Sequence, residues 1–284
     1  MASVAPMETG LMFWAEESGA AATLDRVKAY GLHNGQLGLG PDIDLAKALP
    51  DWQAVLPAYG IALTAAVCSY EGEDYADLGR VHESVGFTTP AYRAERVART
   101  KAIAAFAQHL AIHTVSCHIG FIPEDPSEPL YGELVALTQD LCDDLHTRKQ
   151  TFVLETGQES AAVLVGFLSD VDRTNLKVNF DPANMVLYGS GDPLQALALL
   201  RPWVLSVHCK DGTLPASAGT LGKEVRLGDG AVDFPAFLHL LKSTDYTGPL
   251  TIEREEPDAA VKSADVRVAI ERLAEWKQQA GIAA

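Results

Sequence analysis

Two hydrophobic patterns alternate along this chain. Short apolar runs occur at Gly10–Trp14, Gly35–Leu39, Ile61–Tyr70, His113–Gly120, Thr151–Glu155, Leu176–Phe180, Trp203–His208 and Pro249–Glu253. Their length and their Val, Ile and Phe content read as buried strands. Between them, apolar residues return at helical spacing. Ile103, Phe106 and Leu110 form one such stripe, followed by Leu134, Leu137, Leu141 and Leu145, then by Val163, Leu164, Phe167 and Leu168. Phe234, Phe237, Leu238 and Leu241 mark a later helix, and Val266, Ala269, Ile270 and Leu273 the last. Near the start, a helix is predicted over about 21–30, with only a turn or two around Trp52, Val55 and Leu56. Asp192 before Pro193 reads as an N-cap and first helical position.

Eight strands, each followed by a helix or helical stretch, imply a parallel sheet. Over 284 residues with no linker-like break, they fit a single α/β domain spanning 1–284, a closed (β/α)8 TIM barrel. An open doubly wound sheet with a nucleotide site would want a G-x-G-x-x-G turn after an early strand, and LGLG at Leu37–Gly40 is too short for one. Residues 1–9 are expected to be flexible. The polar stretch Glu71–Thr89, punctuated by Gly72, Gly79 and Gly86, is expected to be a loop excursion over the C-terminal face.

Active sites of such barrels lie at the rim formed by the C-terminal ends of the strands. Four consecutive predicted strands end there on chemistry-bearing residues: Glu155, Asp181, His208 and Glu253. Helix capping by Glu155 and Asp181, with His208 as a core histidine, would explain each one singly. Together they place three carboxylates and an imidazole at one rim, which calls for a cation or shared protons. This oxygen and nitrogen set suits a divalent ion. His118, at the tip of the fourth strand, is a further candidate for substrate contact or proton transfer. Lys210 is placed to hold a hydroxyl or oxyanion. Glu255 follows Glu253 by one strand period and is a reserve candidate. Trp14 and His33, near the first two strand ends, are expected to line the pocket, and Asp211 to orient a neighbour such as His208.

Composition narrows the classes. With 38 acidic against 22 basic residues, the formal net charge is −16, which argues against a nucleic-acid partner. Cys68, Cys117, Cys142 and Cys209 show no C-x-x-C pairing and are expected to be buried free thiols in a reducing compartment. No apolar run reaches membrane-span length, and MASVAPMETG lacks the charge and apolar core of a signal peptide. A cytoplasmic location is the expectation.

Five short motifs occur in order: LETG at Leu154–Gly157, NFDPANM at Asn179–Met185, SVHCKDG at Ser206–Gly212, RLGDGAVDF at Arg226–Phe234 and IERE at Ile252–Glu255. Together they resemble the sugar phosphate isomerase/epimerase family, whose members include ketose 3-epimerases and inosose dehydratase. The resemblance implies a xylose isomerase-like TIM barrel in which Glu155, Asp181, His208 and Glu253 ligate a divalent ion. That ion is usually Mn2+, with Mg2+, Co2+ or Zn2+ also used. It implies a keto-sugar or sugar phosphate substrate, isomerised or epimerised through a metal-stabilised enediolate, with Glu155 and Glu253 as general acid and base on opposite faces. Arg226 corresponds to a substrate-contacting arginine of relatives. Homo-oligomers are common in the family, and nothing in the chain identifies an interface. Two departures are visible: Asn184 stands where the epimerases commonly have a histidine, and Ala161 where they have another glutamate. Both bear on the epimerase assignment and leave open β-elimination on a keto-sugar or keto-glycoside by a lyase or dehydratase. A non-catalytic sugar-binding protein is the alternative from a different class. A metal-dependent nuclease is disfavoured by the acidic charge.

Overall fold

Each apolar run of the chain is a strand, and the strands close on themselves. They are β1 (Thr9–Trp14), β2 (Asn34–Leu39), β3 (Ala62–Cys68), β4 (Thr114–Cys117), β5 (Thr151–Glu155), β6 (Leu176–Phe180) and β7 (Val204–Cys209). A two-stranded hairpin of β8 (Asp211–Gly212) and β9 (Glu224–Val225) intervenes before the eighth barrel strand, β10 (Leu250–Ile252). The barrel is parallel, in the order β1-β10-β7-β6-β5-β4-β3-β2, with β2 returning to β1. The computed structural model describes residues 4–217 and 219–283.

The helices are α1 (Ala20–Lys28), α2 (Leu45–Tyr59), α3 (Leu78–Ser84), α4 (Pro90–His109), α5 (Pro129–Thr147), α6 (Ala161–Val171), α7 (Pro182–Tyr188), α8 (Pro193–Leu200), α9 (Phe234–Ser243) and α10 (Ala259–Gln279). Among the described residues, none is long and apolar enough to cross a membrane. The main core lies between the strand and helix layers. Phe152, Leu154, Val178 and Phe180 are fully buried, and Phe180 stacks on Phe237 of α9 with ring centroids 5.7 Å apart. The four cysteines are free and buried.

The helical pattern differs from expectation in three places. α2 is a full helix of fifteen residues, capped by the Asp44 side chain, although Pro50 and Pro57 lie inside it. Those prolines argue for a break in the sequence; the buried face around Trp52 outweighs the bonds they remove. α7 follows directly on the sixth strand, with Asp181 as N-cap and Pro182 at its start. The Glu71–Thr89 excursion contains α3. At the N-terminus, residues 1–3 lie outside the described residues. Met7 is buried and donates its N–H to Gly248 O at 3.1 Å, and Glu8 O accepts from Leu250 at 3.0 Å.

The excursion is pinned at both ends by one guanidinium. Arg96 of α4 is fully buried; Nη1 donates to Gly86 O at 2.5 Å and Nη2 to Glu71 O at 3.0 Å. Its plane lies near the rings of Tyr70 and Tyr92, 5.6 and 4.8 Å from their centroids. The Glu73 carboxylate accepts from the N–H groups of Tyr70 and Gly86, tying the same two ends. Charge-assisted bonds of this kind contribute about 1.5–3 kcal/mol each, and a carbonyl left buried without a donor costs extra. Replacing Arg96→Met should therefore destabilise the fold by about 2–3 kcal/mol and open residues 71–89 to protease. A variant with wild-type melting temperature and digestion pattern would show that the clamp does not hold the loop.

Candidate active site

Strand alternation selects the residues that meet inside the barrel. Ser116 and His118 share one face, as do Asn179 and Asp181, Ser206, His208 and Lys210, and Thr251, Glu253 and Glu255. β5, β6, β7 and β10 are consecutive neighbours, so the terminal inward residues of these four strands lie side by side. One ligand atom each from Glu155, Asp181, His208 and Glu253 lies within 4.8 Å of all the others. His208 Nδ1 is at the middle, 3.2 Å from Glu155 Oε1, 3.1 Å from Glu253 Oε2 and 3.8 Å from Asp181 Oδ2.

The atoms around this cluster fit a divalent ion. Asp181 Oδ1 accepts from the N–H groups of Ala183 and Asn184 at 2.8 and 3.0 Å, capping α7. Its Oδ2 is buried, faces the cluster and has no hydrogen-bond partner. Capping and ligation are thus divided between the two oxygens of one carboxylate. His208 Nε2 lies 2.9 Å from Gln36 Oε1 on β2. An amide oxygen only accepts, so Nε2 carries a proton, and Nδ1 is the ring nitrogen that faces the carboxylates, through a proton or an ion. Burial alone would depress the imidazole pKa, yet Glu155 and Glu253 hold it well above its ordinary value. The carboxylates therefore draw positive charge to the Nδ1 position, which is what a divalent cation supplies.

The surroundings hold each carboxylate in place. Asn184 Nδ2 donates to Glu155 Oε1 at 3.0 Å. Ser206 Oγ donates to Asn179 Oδ1 at 2.6 Å, and Asn179 Nδ2 lies 3.4 Å from Glu155 Oε2. Lys210, almost fully buried, donates to Glu253 Oε2 at 3.1 Å and pairs with Glu255 Oε1 at 3.2 Å. Burial would raise the Glu253 carboxyl, but Lys210 and His208 hold it well below the ordinary carboxylate range. Burial also raises Asp181, with too little opposing charge to cancel it. Glu155 is lowered overall, because His208 and His118 outweigh its burial.

Above the cluster opens a cavity of about 370 Å³, lined by Trp14, His118, Glu155, Asn184, Lys210, Glu253 and Glu255 among others. His118 Nε2 stands 3.7 Å from Glu155 Oε1. His33 is a correction: β2 begins at Asn34, so His33 lies at the opposite rim, exposed, with its carbonyl accepting from Ala62 N–H. Arg226 does not line the cavity; it pairs with Asp229 at 2.7 Å. Asp211 does not touch His208. It accepts from the N–H groups of Gly228 and Gly230 at 2.9 Å and Val232 at 3.1 Å, anchoring the glycine-rich loop. A Cβ at Gly230 would lie 2.2 Å from Asp211 Oδ1, which explains the glycine there. Gln36, Glu73, Tyr75, Tyr188 and Glu224 also face the site and were not singled out above. Gln36 left one signal, an amide in the middle of an otherwise small and apolar run from Gly35 to Leu39.

A closed parallel barrel with three acids and a histidine gathered at its C-terminal rim defines a TIM barrel whose rim cluster is compatible with a divalent metal ion. The chain belongs to the Xylose isomerase-like TIM barrel family, which its residues 24–278 match. It is 28% identical over 150 residues to an L-ribulose 3-epimerase from Methylomonas sp. (strain DH-1), a match covering 49% of this chain and 47% of that protein, about half its length. A xylose isomerase domain protein from Planctomyces limnophilus superposes with a TM-score of 0.91 at 35% identity, covering 97% of this chain and 99% of that one. A xylose isomerase-like TIM barrel protein from Mycobacterium smegmatis, solved in complex with magnesium, shares the fold at a TM-score of 0.68 and 16% identity, with 97% of each chain covered.

Gln36→Leu should weaken divalent-ion binding by about 10–100-fold, because it removes the acceptor that holds the His208 tautomer. Calorimetric titration with Mn2+ checks this, and an unchanged affinity would refute the assigned tautomer.

Glu159, in the loop after β5, tests burial without a partner. Neither of its oxygens has a hydrogen bond, and burial pushes its carboxyl from 4.5 up to about 8. The unfolded chain ionises above about 4.5 while the folded one stays protonated, so this group costs stability as pH rises from there through about 8. Glu159→Gln should therefore raise the melting temperature, and by more at pH 8 than at pH 5. Wild-type and variant curves that run parallel in pH would contradict it.

Proposed function

We propose that this chain is a divalent-metal-dependent isomerase of the 3-epimerase type acting on an uncharged keto-sugar. The observation that carries the proposal is the placement of two glutamates at the ends of the four-strand ligand arc. Glu155 comes from β5 and Glu253 follows β10, with β6 and β7 between them, so the two carboxylates flank the cluster from opposite sides. A sugar carbon held over the arc has a carboxylate on each face. Removal of its proton by one and return by the other inverts the centre. When bound, the ion supplies positive charge that polarises the ketone and offsets the charge left as the neighbouring proton departs. Mn2+ is the ion proposed; the donor set also accommodates Mg2+, Co2+ or Zn2+. Lys210 keeps Glu253 anionic, as a base requires, and His118 is within reach to exchange a proton with Glu155.

The charge of the cavity supports a neutral substrate over a sugar phosphate. Five glutamates line it: Glu73, Glu155, Glu224, Glu253 and Glu255. Among the described residues, Lys210 is the only lysine or arginine that lines it, and it is already bound to Glu253 and Glu255. No cationic side chain is left to grip a phosphate in the usual bidentate manner.

Incubation of Mn2+-loaded protein with ketopentoses and ketohexoses in D2O should yield the C3 epimer carrying one solvent deuterium. Glu155→Gln and Glu253→Gln should each lower the rate at least about 100-fold. An unsaturated product with loss of water would replace this reading by elimination. Binding of sugar with no exchange at all would leave a sugar-binding protein in its place.

A further inference from the structure

Beneath the ion cluster, polar side chains inside the barrel face one another across a bare glycine. Parallel register sets them in one inward row. His208 pairs with Thr251, Thr251 with Gly10, and Gly10 stands level with Asn34, since Leu11 pairs with Gly35. Neighbouring strands lie about 4.8 Å apart, so the row is continuous. A Cβ at Gly10 would lie 2.1 Å from Asn34 Oδ1. The Asn34 amide therefore leans over the glycine, towards Thr251. Gln36 starts one inward position beyond Asn34 on β2 and reaches His208 on β7, three strands away. Its carboxamide crosses the interior in front of Gly10 and Thr251.

Three atoms of this group have no hydrogen-bond partner among the described residues: Gln36 Nε2, Asn34 Oδ1 and Thr251 Oγ1. All three residues are fully buried. The other end of each amide fixes which atom is left. Gln36 Oε1 faces His208, which leaves the Nε2 donor. Asn34 Nδ2 donates to Thr9 O at 3.2 Å, which leaves the Oδ1 acceptor. Buried polar atoms without partners are costly, and ordered water is their usual partner inside a domain. A cation is repelled by the Nε2–H, whereas one water matches a donor and two acceptors.

We propose that Gln36, Asn34 and Thr251 bind one ordered water, and that Asn34 and Thr251 are thereby positioning residues for His208. The water accepts from Gln36 Nε2 and donates to Asn34 Oδ1 and Thr251 Oγ1. Turning the Gln36 amide over would set its N–H against the Nε2–H of His208 and deprive the water of its donor. The water thus holds the amide in the sense that keeps the His208 Nε2 proton in place and Nδ1 towards the cluster. The effect on ion binding rests on the reading of the cluster as a divalent-ion site; the water does not.

A high-resolution crystal structure of the wild type should show one water within hydrogen-bonding distance of all three atoms. Calorimetric titration with Mn2+ tests the positioning role. Thr251→Val, which removes the hydroxyl and keeps the shape, should weaken binding at least about threefold, while Thr251→Ser keeps the wild-type affinity. In a Gln36→Leu background, Thr251→Val should change the affinity by less than about 1.5-fold, because the group it acts through is gone. A merely structural role would lower the affinity equally in both backgrounds. If Thr251→Val fails to fold, Asn34→Ser takes its place in the same cycle. A wild-type structure without this water, a Thr251→Val affinity equal to the wild type, or equal losses with and without Gln36 would each overturn the proposal. Wild-type protein that binds no Mn2+ would remove the cation reading and with it the positioning role, and the crystal structure then decides the water alone.

Discussion

Three carboxylates cannot share one buried rim with an imidazole unless positive charge joins them. Glu155 and Asp181 are almost wholly out of solvent, His208 is fully so, and Glu253 is nearly so. Self-repulsion among such groups costs several kcal/mol when no counter-charge is present. Lys210 supplies part of the compensation and draws it toward Glu253. The remainder falls at His208 Nδ1 and at the unpartnered Asp181 Oδ2. The architecture of the rim can be understood as a scaffold for that unbalanced charge.

Support for the scaffold extends well beyond the four residues. Gln36 orients the imidazole from across the barrel, and Asn184 and Asn179 address the two oxygens of Glu155. The tip of β10 is held from outside. Arg254 pairs with Glu224 at 2.7 Å, Asp265 at 3.0 Å and Glu256 at 3.1 Å, and the Glu224 carboxylate accepts from the Glu255 N–H. A ligand set drawn from different strands has little local rigidity of its own. Precise placement comes from these second partners and from the closed hydrogen-bond ladder.

Much of this was legible in the chain. Strands five to eight each show an apolar run ending on a charged or imidazole residue, and that local signal places all four members of the cluster. What the sequence concealed was non-local or locally contradictory. Gln36 meets His208 across 172 residues, a pairing that no window along the chain reveals. Pro50 and Pro57 disguised α2, because tertiary burial overrode a local breaker. His33 is expected near the rim from the sequence, but it precedes β2, whose far end is Leu39, and so lies at the opposite end of the barrel. Arg226 had a carboxylate three residues ahead, Asp229, and its pairing within the glycine loop is the simpler local outcome.

The double duty of Asp181 reaches farther than the ion. One oxygen starts α7, and Leu187 of that helix lines the cavity and accepts through its carbonyl the N–H of Gly222 at 2.8 Å. Gly222 lies in the connection between β8 and β9 and also lines the cavity. The ligand cluster and this part of the cavity lining are thus linked through one short helix. A change of side chain at position 181 disturbs both at once, so its effect on activity reports on the cavity wall as well as on the lost ligand.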